Sequence, residues 1–366
     1  MNEQANSAQG DARSQSSGKG EMLRGFWYPA LLSAKIPRGK VRRAVLLGIP
    51  LAVGRDAAGK AFALRDTCPH RGMPLSYGRL DGQELECPYH GWRFDTHTGQ
   101  CRAIPSWVPG DKLKKERIYA GHFPCEDQDG YVWVYMPDAE SEAPPPSPRL
   151  PVFGPRYRIT HLSAEMPVNV DHGIIGLMDP AHGPFVHQAW WWRTRHSIQL
   201  KEKTFEPIPN GFRIRAHKPS ANSAAYKLLG VYGQPVTTLI EFVLPNMRFE
   251  QIHCGGKWFS SRAVVTPIAA NQCRLDFCAA WNVFPYVPFM TSVFRIFARR
   301  FIAQDTRTMA KQADGLKYQP NLMLIDDADR PAKWYFQLKE AHLESRRSGQ
   351  PMKHPIEGPT VLRWHS

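Results

Sequence analysis

From Gly25 to Pro137 the apolar positions fall in short runs separated by turn-forming residues. That pattern predicts short strands rather than helices. The run "AVLLGIPLAVGRDAAGKAFAL" reads as two β segments around a turn at Asp56–Gly59, and "GYVWVYMP" as an aromatic, β-branched strand stopped by Pro137. The stretch "DAESEAPPPSPRLP", Asp138 to Pro151, breaks the pattern. Proline has no backbone N–H to give to a ladder, so an extended, semi-rigid connector is expected here. Beyond it come a helical pattern around residues 166–188, β runs such as "GFRIRAH" and "TTLIEFVLP", a second helix near 288–315 and a polar C-terminal segment. The expected fold class is α+β, with an all-β domain over 23–139, a Pro-rich linker over 140–151 and an α+β domain with an antiparallel sheet over 152–366. The polar, Ser/Gly/Gln-rich residues 1–22 are expected to form a disordered tail.

Composition narrows the class. The 366 residues are 42% hydrophobic, as in ordinary globular proteins. The apolar run "AVLLGIPLAVG" is too short and too broken by Gly and Pro to span a bilayer, and the N-terminal stretch has no apolar core of a signal peptide. A cytoplasmic protein is expected. Its 7 cysteines, an odd number, argue for reduced thiols and metal ligation rather than a disulfide framework. Cys101, Cys125, Cys254, Cys273 and Cys278 lack ligand-like spacing and are expected to be ordinary residues. The net charge of +14 suits a solvated basic surface or an acidic protein partner. No nucleic-acid motif accompanies it, and no nucleic-acid partner is expected.

The first chemical motif is "DTCPHRGMPLSYGRLDGQELECPYHGWRFD". It holds Cys68 and His70 in one cluster and Cys87 and His90 in another. Two thiolates and two imidazoles fit tetrahedral zinc. They also fit a Rieske [2Fe–2S] cluster, in which two Cys hold one iron and two His hold the other. Zinc fingers usually place both Cys before both His, whereas here each cluster supplies one of each. That order suits two loops closing on a two-iron centre from opposite sides. Pro69 and Pro88 stiffen the loops, Gly72 and Gly91 permit tight turns, and Trp92 can shield the centre.

The second motif is "NVDHGIIGLMDPAHGPFVH", with Asp179, His182 and His187. Two imidazoles and a carboxylate are the ligand set of non-haem iron(II). On a regular helix the two histidines, five residues apart, would point about 140° apart. Gly183-Pro184 lies between them and is expected to break the helix so that both converge. Read alone, the pair fits a structural role as well.

The segments "FWYP", "LRDTCPHRG", "CPYHGWRFD" and "LMDPAHGPFVH" together resemble the α subunits of Rieske non-haem iron oxygenases, from about Gly25 onward. Respiratory-chain Rieske proteins carry a disulfide between the two loops; the matching positions here are Met73 and Tyr89, which points to the oxygenase branch. The resemblance implies Cys68, His70, Cys87 and His90 as cluster ligands and His182 and His187 as ligands of a mononuclear Fe(II). It also implies a later carboxylate ligand, for which Asp305 in "RRFIAQDTRTMAKQ" is chosen over Asp314, Asp326 and Asp327. Asp179 matches a residue that bridges His182 to a cluster histidine, here His90, of a neighbouring subunit in a head-to-tail homotrimer. The alternative for Asp179 is a helix-capping role before Pro180. Many members have Asn four residues before that Asp; this chain has Ile175, in an unusual "HGIIG" run beside His172. His172 suits a pocket wall, a competing ligand or a core hydrogen bond.

There is no G-x-G-x-x-G fingerprint, so a separate NAD(P)H-dependent reductase, a ferredoxin or both are expected to supply electrons. The resemblance favours the monooxygenase and demethylase branch, with O2 and an apolar ring substrate, sterol- or tetrapyrrole-like. A cis-dihydroxylating dioxygenase and a redox module without catalysis are the alternatives. "AWWWR", including Trp190–Trp192, and "WNVFPYVPFMTSVFRIF" suit such a substrate or simple core packing. The latter segment, followed by Arg299 and Arg300, also suits peripheral contact with the inner face of a membrane.

Overall fold

The computed structural model describes residues 20–108, 110, 112–139, 142–187, 198–219, 232–284 and 286–366. The chain divides into two units. One is Arg24–Arg149 with Thr266–Ala269; the other is Leu150–Val265 with Ala270–Ser366 and the described residues up to Leu23. Trp190–Trp192 lie outside the described residues.

The first unit is all β. Its strands are β1 Phe26–Leu32, β2 Lys40–Leu46, β3 Ile49–Arg55, β4 Ala61–Arg65, β5 Arg79–Asp81, β6 Glu84–Glu86, β7 Arg93–Asp95, β8 Cys101–Ala103, β9 His122–Phe123, β10 Cys125–Gln128 and β11 Tyr131–Met136. They form three sheets, ordered β1-β11-β10, β2-β3-β4-β9 and β5-β6-β7-β8. Every residue of β11, the central strand of its sheet, is buried. The run "AVLLGIPLAVG" is two strands, not one. Leu47 and Gly48 take positive φ values of 52° and 73° between the paired Leu46 and Ile49, the two-residue hairpin turn that matches strand twist. A leucine at positive φ carries no turn signal, so the pattern of apolar positions hides this break. The turn at Asp56–Gly59 forms as expected, closed by Gly59 N–H donating to Asp56 O at 3.0 Å.

The second unit is built on a sheet ordered β12-β18-β17-β16-β15-β14-β13-β19. The strands are β12 Arg158–Met166, β13 Leu200–Ile208, β14 Gly211–His217, β15 Val236–Val243, β16 Met247–Cys254, β17 Lys257–Ala269, β18 Gln272–Trp281 and β19 Thr360–His365. Among the described residues four helices accompany them: α1 Val170–Met178, α2 Gly183–Val186, α3 Met290–Leu316 and α4 Arg330–Ser348. Phe294 of α3 packs on Trp281 and Phe259 of the sheet, with ring centroids at 4.6 and 5.8 Å. α4 was not legible as a helix in the polar C-terminal segment. Its apolar face is a narrow stripe, Trp334, Tyr335, Leu338 and Leu343, laid against Phe205, Phe212 and Phe242. Among the described residues no helix is long and apolar enough to cross a membrane.

The expected helix around 166–188 is two helices, and the break lies earlier than Gly183-Pro184. Asn169 caps α1, its carboxamide oxygen accepting from Asp171 N at 2.8 Å, and α1 ends at Asp179, just before Pro180. Proline lacks the N–H that would continue the ladder, but it is tolerated in a first turn; Pro184 therefore starts α2 instead of breaking a longer helix. The "HGIIG" run has a packing reason. A Cβ on Gly173 would lie 2.7 Å from Val265 Cγ1 and 2.9 Å from Cys273 Sγ, and one on Gly176 would lie 2.9 Å from Met309 Cε of α3. The two glycines let α1 settle close to the sheet and to α3, one turn beyond Asp305.

Candidate metal centres

In the β unit, the two Cys-His clusters sit on loops of the same construction. Cys68 N donates to Met73 O at 2.8 Å and Gly72 N to Cys68 O at 2.9 Å; Cys87 N donates to Trp92 O at 2.8 Å and Gly91 N to Cys87 O at 3.0 Å. Each loop closes through a glycine at positive φ, Gly72 at 72° and Gly91 at 70°. The second loop joins β6 to β7 within one small sheet, and the first lies between β4 and β5, which belong to different sheets. Cys68 and Cys87 are buried in the unit's core beside Leu75, Leu85 and Phe94, with Met73 and Trp92 against them. All seven cysteines are free. His70 and His90 face each other with centroids 4.6 Å apart; Trp92 stacks on His70 at 4.7 Å and Tyr89 lies 3.8 Å from His90.

The donor set fits a cluster on two observations. His70 Nδ1 is buried without a hydrogen-bond partner, an expense that a metal bond removes. Burial, and then the adjoining Cys87 thiol, push the Cys68 thiol up to about 11. Two thiols held this close lose their protons readily only to a cation. Burial and the charges of His70 and Arg71 hold His90 below the ordinary imidazole range, in the neutral form that ligates.

In the second unit, His182, His187 and Asp305 come together, each offering a donor atom, with these atoms all within 4.8 Å of one another. His182 is the residue before α2, His187 the residue after it, and Asp305 lies on α3. His182 Nδ1 donates to Asp179 O at 2.8 Å and lies 3.5 Å from the Asp179 carboxylate. His187 Nδ1 faces Gln304 Oε1 at 3.1 Å. These partners assign the ring protons to Nδ1 and leave both Nε2 lone pairs turned inward. The two Nε2 atoms are 3.1 Å apart, and His187 Nε2 is 3.1 Å from Asp305 Oδ1. Two lone pairs and a carboxylate oxygen at such distances repel one another unless a cation sits among them. Burial disfavours the His182 imidazolium, yet Asp179, by hydrogen bond and charge, and Asp305 outweigh it and raise its pKa. The field that draws a proton also draws a divalent cation, and two imidazoles with one carboxylate suit Fe(II).

The rival carboxylates are engaged elsewhere. Asp314 pairs with Lys317 at 2.7 Å, Asp326 with Lys333 at 2.8 Å, and Asp327 accepts from Arg363 N at 3.0 Å. His172 belongs to no such donor group among the described residues. Asp179 also closes a turn, its Oδ1 accepting from Ala181 N at 2.7 Å. Sequence reading missed Gln304 and Phe301, whose ring stacks on His187 at 3.7 Å and 11°. Their only signal is spacing, since Phe301, Gln304 and Asp305 share one face of α3.

A Rieske [2Fe-2S] domain matches residues 26–117. The chain is 28% identical over 352 residues to chlorophyllide a oxygenase of Chlamydomonas reinhardtii, covering 92% of this chain and 51% of that protein. Over 126 residues it is 34% identical to the 4beta-methylsterol monooxygenase of Methylococcus capsulatus, covering 34% of each. The chain spans about half the length of the curated chlorophyllide a oxygenases it matches. Among solved structures, dicamba monooxygenase bound to dicamba superposes with a TM-score of 0.70 at 22% identity, covering 88% of this chain and 99% of that one. The chain thus carries a Rieske [2Fe-2S] domain over residues 26–117, is similar along most of its length to oxygenases and shares the fold of dicamba monooxygenase, a likeness to the Rieske oxygenases as a whole.

Proposed function

We propose that the chain is the oxygenase component of a monooxygenase system that hydroxylates or oxidatively demethylates an apolar ring substrate. The observation that carries the reading is the convergence of His182 Nε2, His187 Nε2 and Asp305 Oδ1, with both imidazole Nδ1 atoms held by other groups. When bound, the cluster of this family relays electrons singly and its mononuclear iron supplies the redox chemistry of O2 activation. Cys68, His70, Cys87 and His90 would hold the cluster, and His182, His187 and Asp305 the iron. Asp179 orients His182, and its carboxylate, 30% exposed, has room to accept a second hydrogen bond. In a head-to-tail homotrimer that second donor is the partner subunit's His90, giving a short link between cluster and iron sites.

Electrons come from a separate NAD(P)H-dependent reductase, a ferredoxin or both, for which the chain's net +14 offers an attractive surface to an acidic partner. A polycyclic substrate is favoured, sterol- or tetrapyrrole-like, in line with the relatives named for chlorophyllide and methylsterol. Such a substrate partitions into membranes. Phe289, Val293, Ile296 and Phe297 of the α3 start are exposed beside Arg295, Arg299 and Arg300, a composition suited to collecting it at an anionic surface from the cytoplasmic side.

The test is reductase-driven O2 uptake with a panel of sterols and tetrapyrroles, followed by product mass analysis under ¹⁸O2. One labelled atom per turnover, in the hydroxylated product or in the formaldehyde released by demethylation, lost in His182→Ala and after iron chelation, is expected. Two labelled atoms would instead make the chain a dihydroxylating dioxygenase. Uptake that survives both treatments would sink the reading.

A further inference from the structure

We infer that Gln304 is a positioning residue for His187, deciding which ring nitrogen faces the metal; this rests on the reading of His182, His187 and Asp305 as iron ligands. A neutral imidazole has one N–H, and a buried one takes the tautomer its neighbours dictate. His187 is 3% exposed, so water does not choose for it. Two acceptors face its ring nitrogens, Gln304 Oε1 at 3.1 Å from Nδ1 and Asp305 Oδ1 at 3.1 Å from Nε2; with a cation engaging Asp305, Gln304 holds the proton on Nδ1. The lone pair is then on Nε2, 3.1 Å from Asp305 Oδ1. With a donor in place of that oxygen, the proton would move to Nε2 and point at the metal position.

Orientation is fixed in two directions. The Phe301 ring, stacked at 3.7 Å and 11°, sets the plane of the imidazole, and Gln304 sets its rotation within that plane. Phe301, Gln304 and the ligand Asp305 lie within one turn and a residue of the 27-residue helix α3. Stacking surface, acceptor and carboxylate therefore move together, on a more rigid support than a loop. His182 differs: its Nδ1 is held by a backbone carbonyl and a carboxylate from the turn after α1. Its partner adds negative charge, whereas the Gln304 amide orients His187 without adding any.

The experiment uses the full-length apo protein, titrated with Co(II) and read by its visible absorption. The ring nitrogen that His187 turns to the metal is read separately from ¹⁵N shifts in a long-range ¹H–¹⁵N spectrum of the Zn(II)-loaded protein, Zn(II) being diamagnetic. Gln304→Met keeps the length and removes the acceptor; Gln304→Glu restores one. We expect Gln304→Met to weaken Co(II) binding about 10–100-fold, the usual effect of losing a partner of a ligating histidine, and to release the Nδ1–H tautomer. Gln304→Glu is expected to keep both, and the melting temperatures of all three proteins to agree. Binding of Gln304→Met within about twofold of wild type, or a Gln304→Glu protein as weak as Gln304→Met, overturns the inference. If wild-type binding is absent, or indifferent to His187→Ala and Asp305→Ala, the ligand assignment itself falls and this inference with it.

Discussion

Asp171 and Lys339 form a buried ion pair that ties α1 to α4. The Asp171 carboxylate accepts from Lys339 Nζ at 2.7 Å, Tyr335 Oη at 2.5 Å and Gly20 N at 2.6 Å. The two residues are 3% and 1% exposed. Neither charge reaches water, so removing one strands the other in a low-dielectric interior. Asp171→Leu or Lys339→Met should each cost about 3–5 kcal/mol, the usual price of an uncompensated buried charge. For a large domain this corresponds to a fall in melting midpoint of about 6–20 °C. Asp171→Leu combined with Lys339→Met removes both charges and should recover most of the loss, because the pair itself contributes little net stability once desolvation is counted. The assay is calorimetric unfolding of wild type, the three variants Asp171→Leu, Lys339→Met and the double mutant, analysed as a cycle. Single variants within about 1 kcal/mol of wild type, or losses that simply add in the double mutant, would refute this account of the pair. The loss should reach the metal centre too, since α1 starts at the pair and ends at Asp179, the partner of His182.

Two further outcomes follow from local geometry. Burial raises the Asp95 carboxyl, but the Arg102 guanidinium at 2.9 Å and the N–H groups of Thr98 and His97 outweigh it and hold the pKa at about 2. A depressed carboxylate pKa stabilises the fold above 3.8 and loses that contribution as pH falls from 3.8 through about 2, so NMR titration should place Asp95 near 2 and Arg102→Ala should raise it. Gly173→Ala should destabilise in urea unfolding by about 1 kcal/mol net, because overpacking against Val265 and Cys273 exceeds the gain in helix propensity, whereas Gly176→Ala, meeting only the flexible end of Met309, should be neutral or stabilising.

The sequence by itself determined the parts whose chemistry is local. Cys68-x-His70 and Cys87-x-x-His90 each fit within one loop, and the flanking glycines that close those loops are visible in the same few residues. His182 and His187 are likewise neighbours along the chain, and the pattern of short apolar runs sufficed for an all-β first unit. What the tertiary structure decided are relations across long separations. Asp305 was chosen from the resemblance of its segment, but its approach to His187, 3.1 Å over more than a hundred residues, exists only in the fold, which engages Asp314, Asp326 and Asp327 with other groups. The break in the helix went to Pro180 rather than Pro184, because a proline ends a helix behind it but begins one ahead. Helix α4 was hidden because a narrow apolar stripe in a polar segment shows its worth only when Phe205, Phe212 and Phe242 lie against it. Gln304 carries no motif at all. Its meaning comes from one turn of α3 set beside His187, and α3 sits there because Gly173 and Gly176 let α1 close on the sheet and on Met309. Local chemistry is written in neighbouring residues; packing distance is written only in the fold, since a side chain's neighbours in space are chosen by every element that must be buried at once.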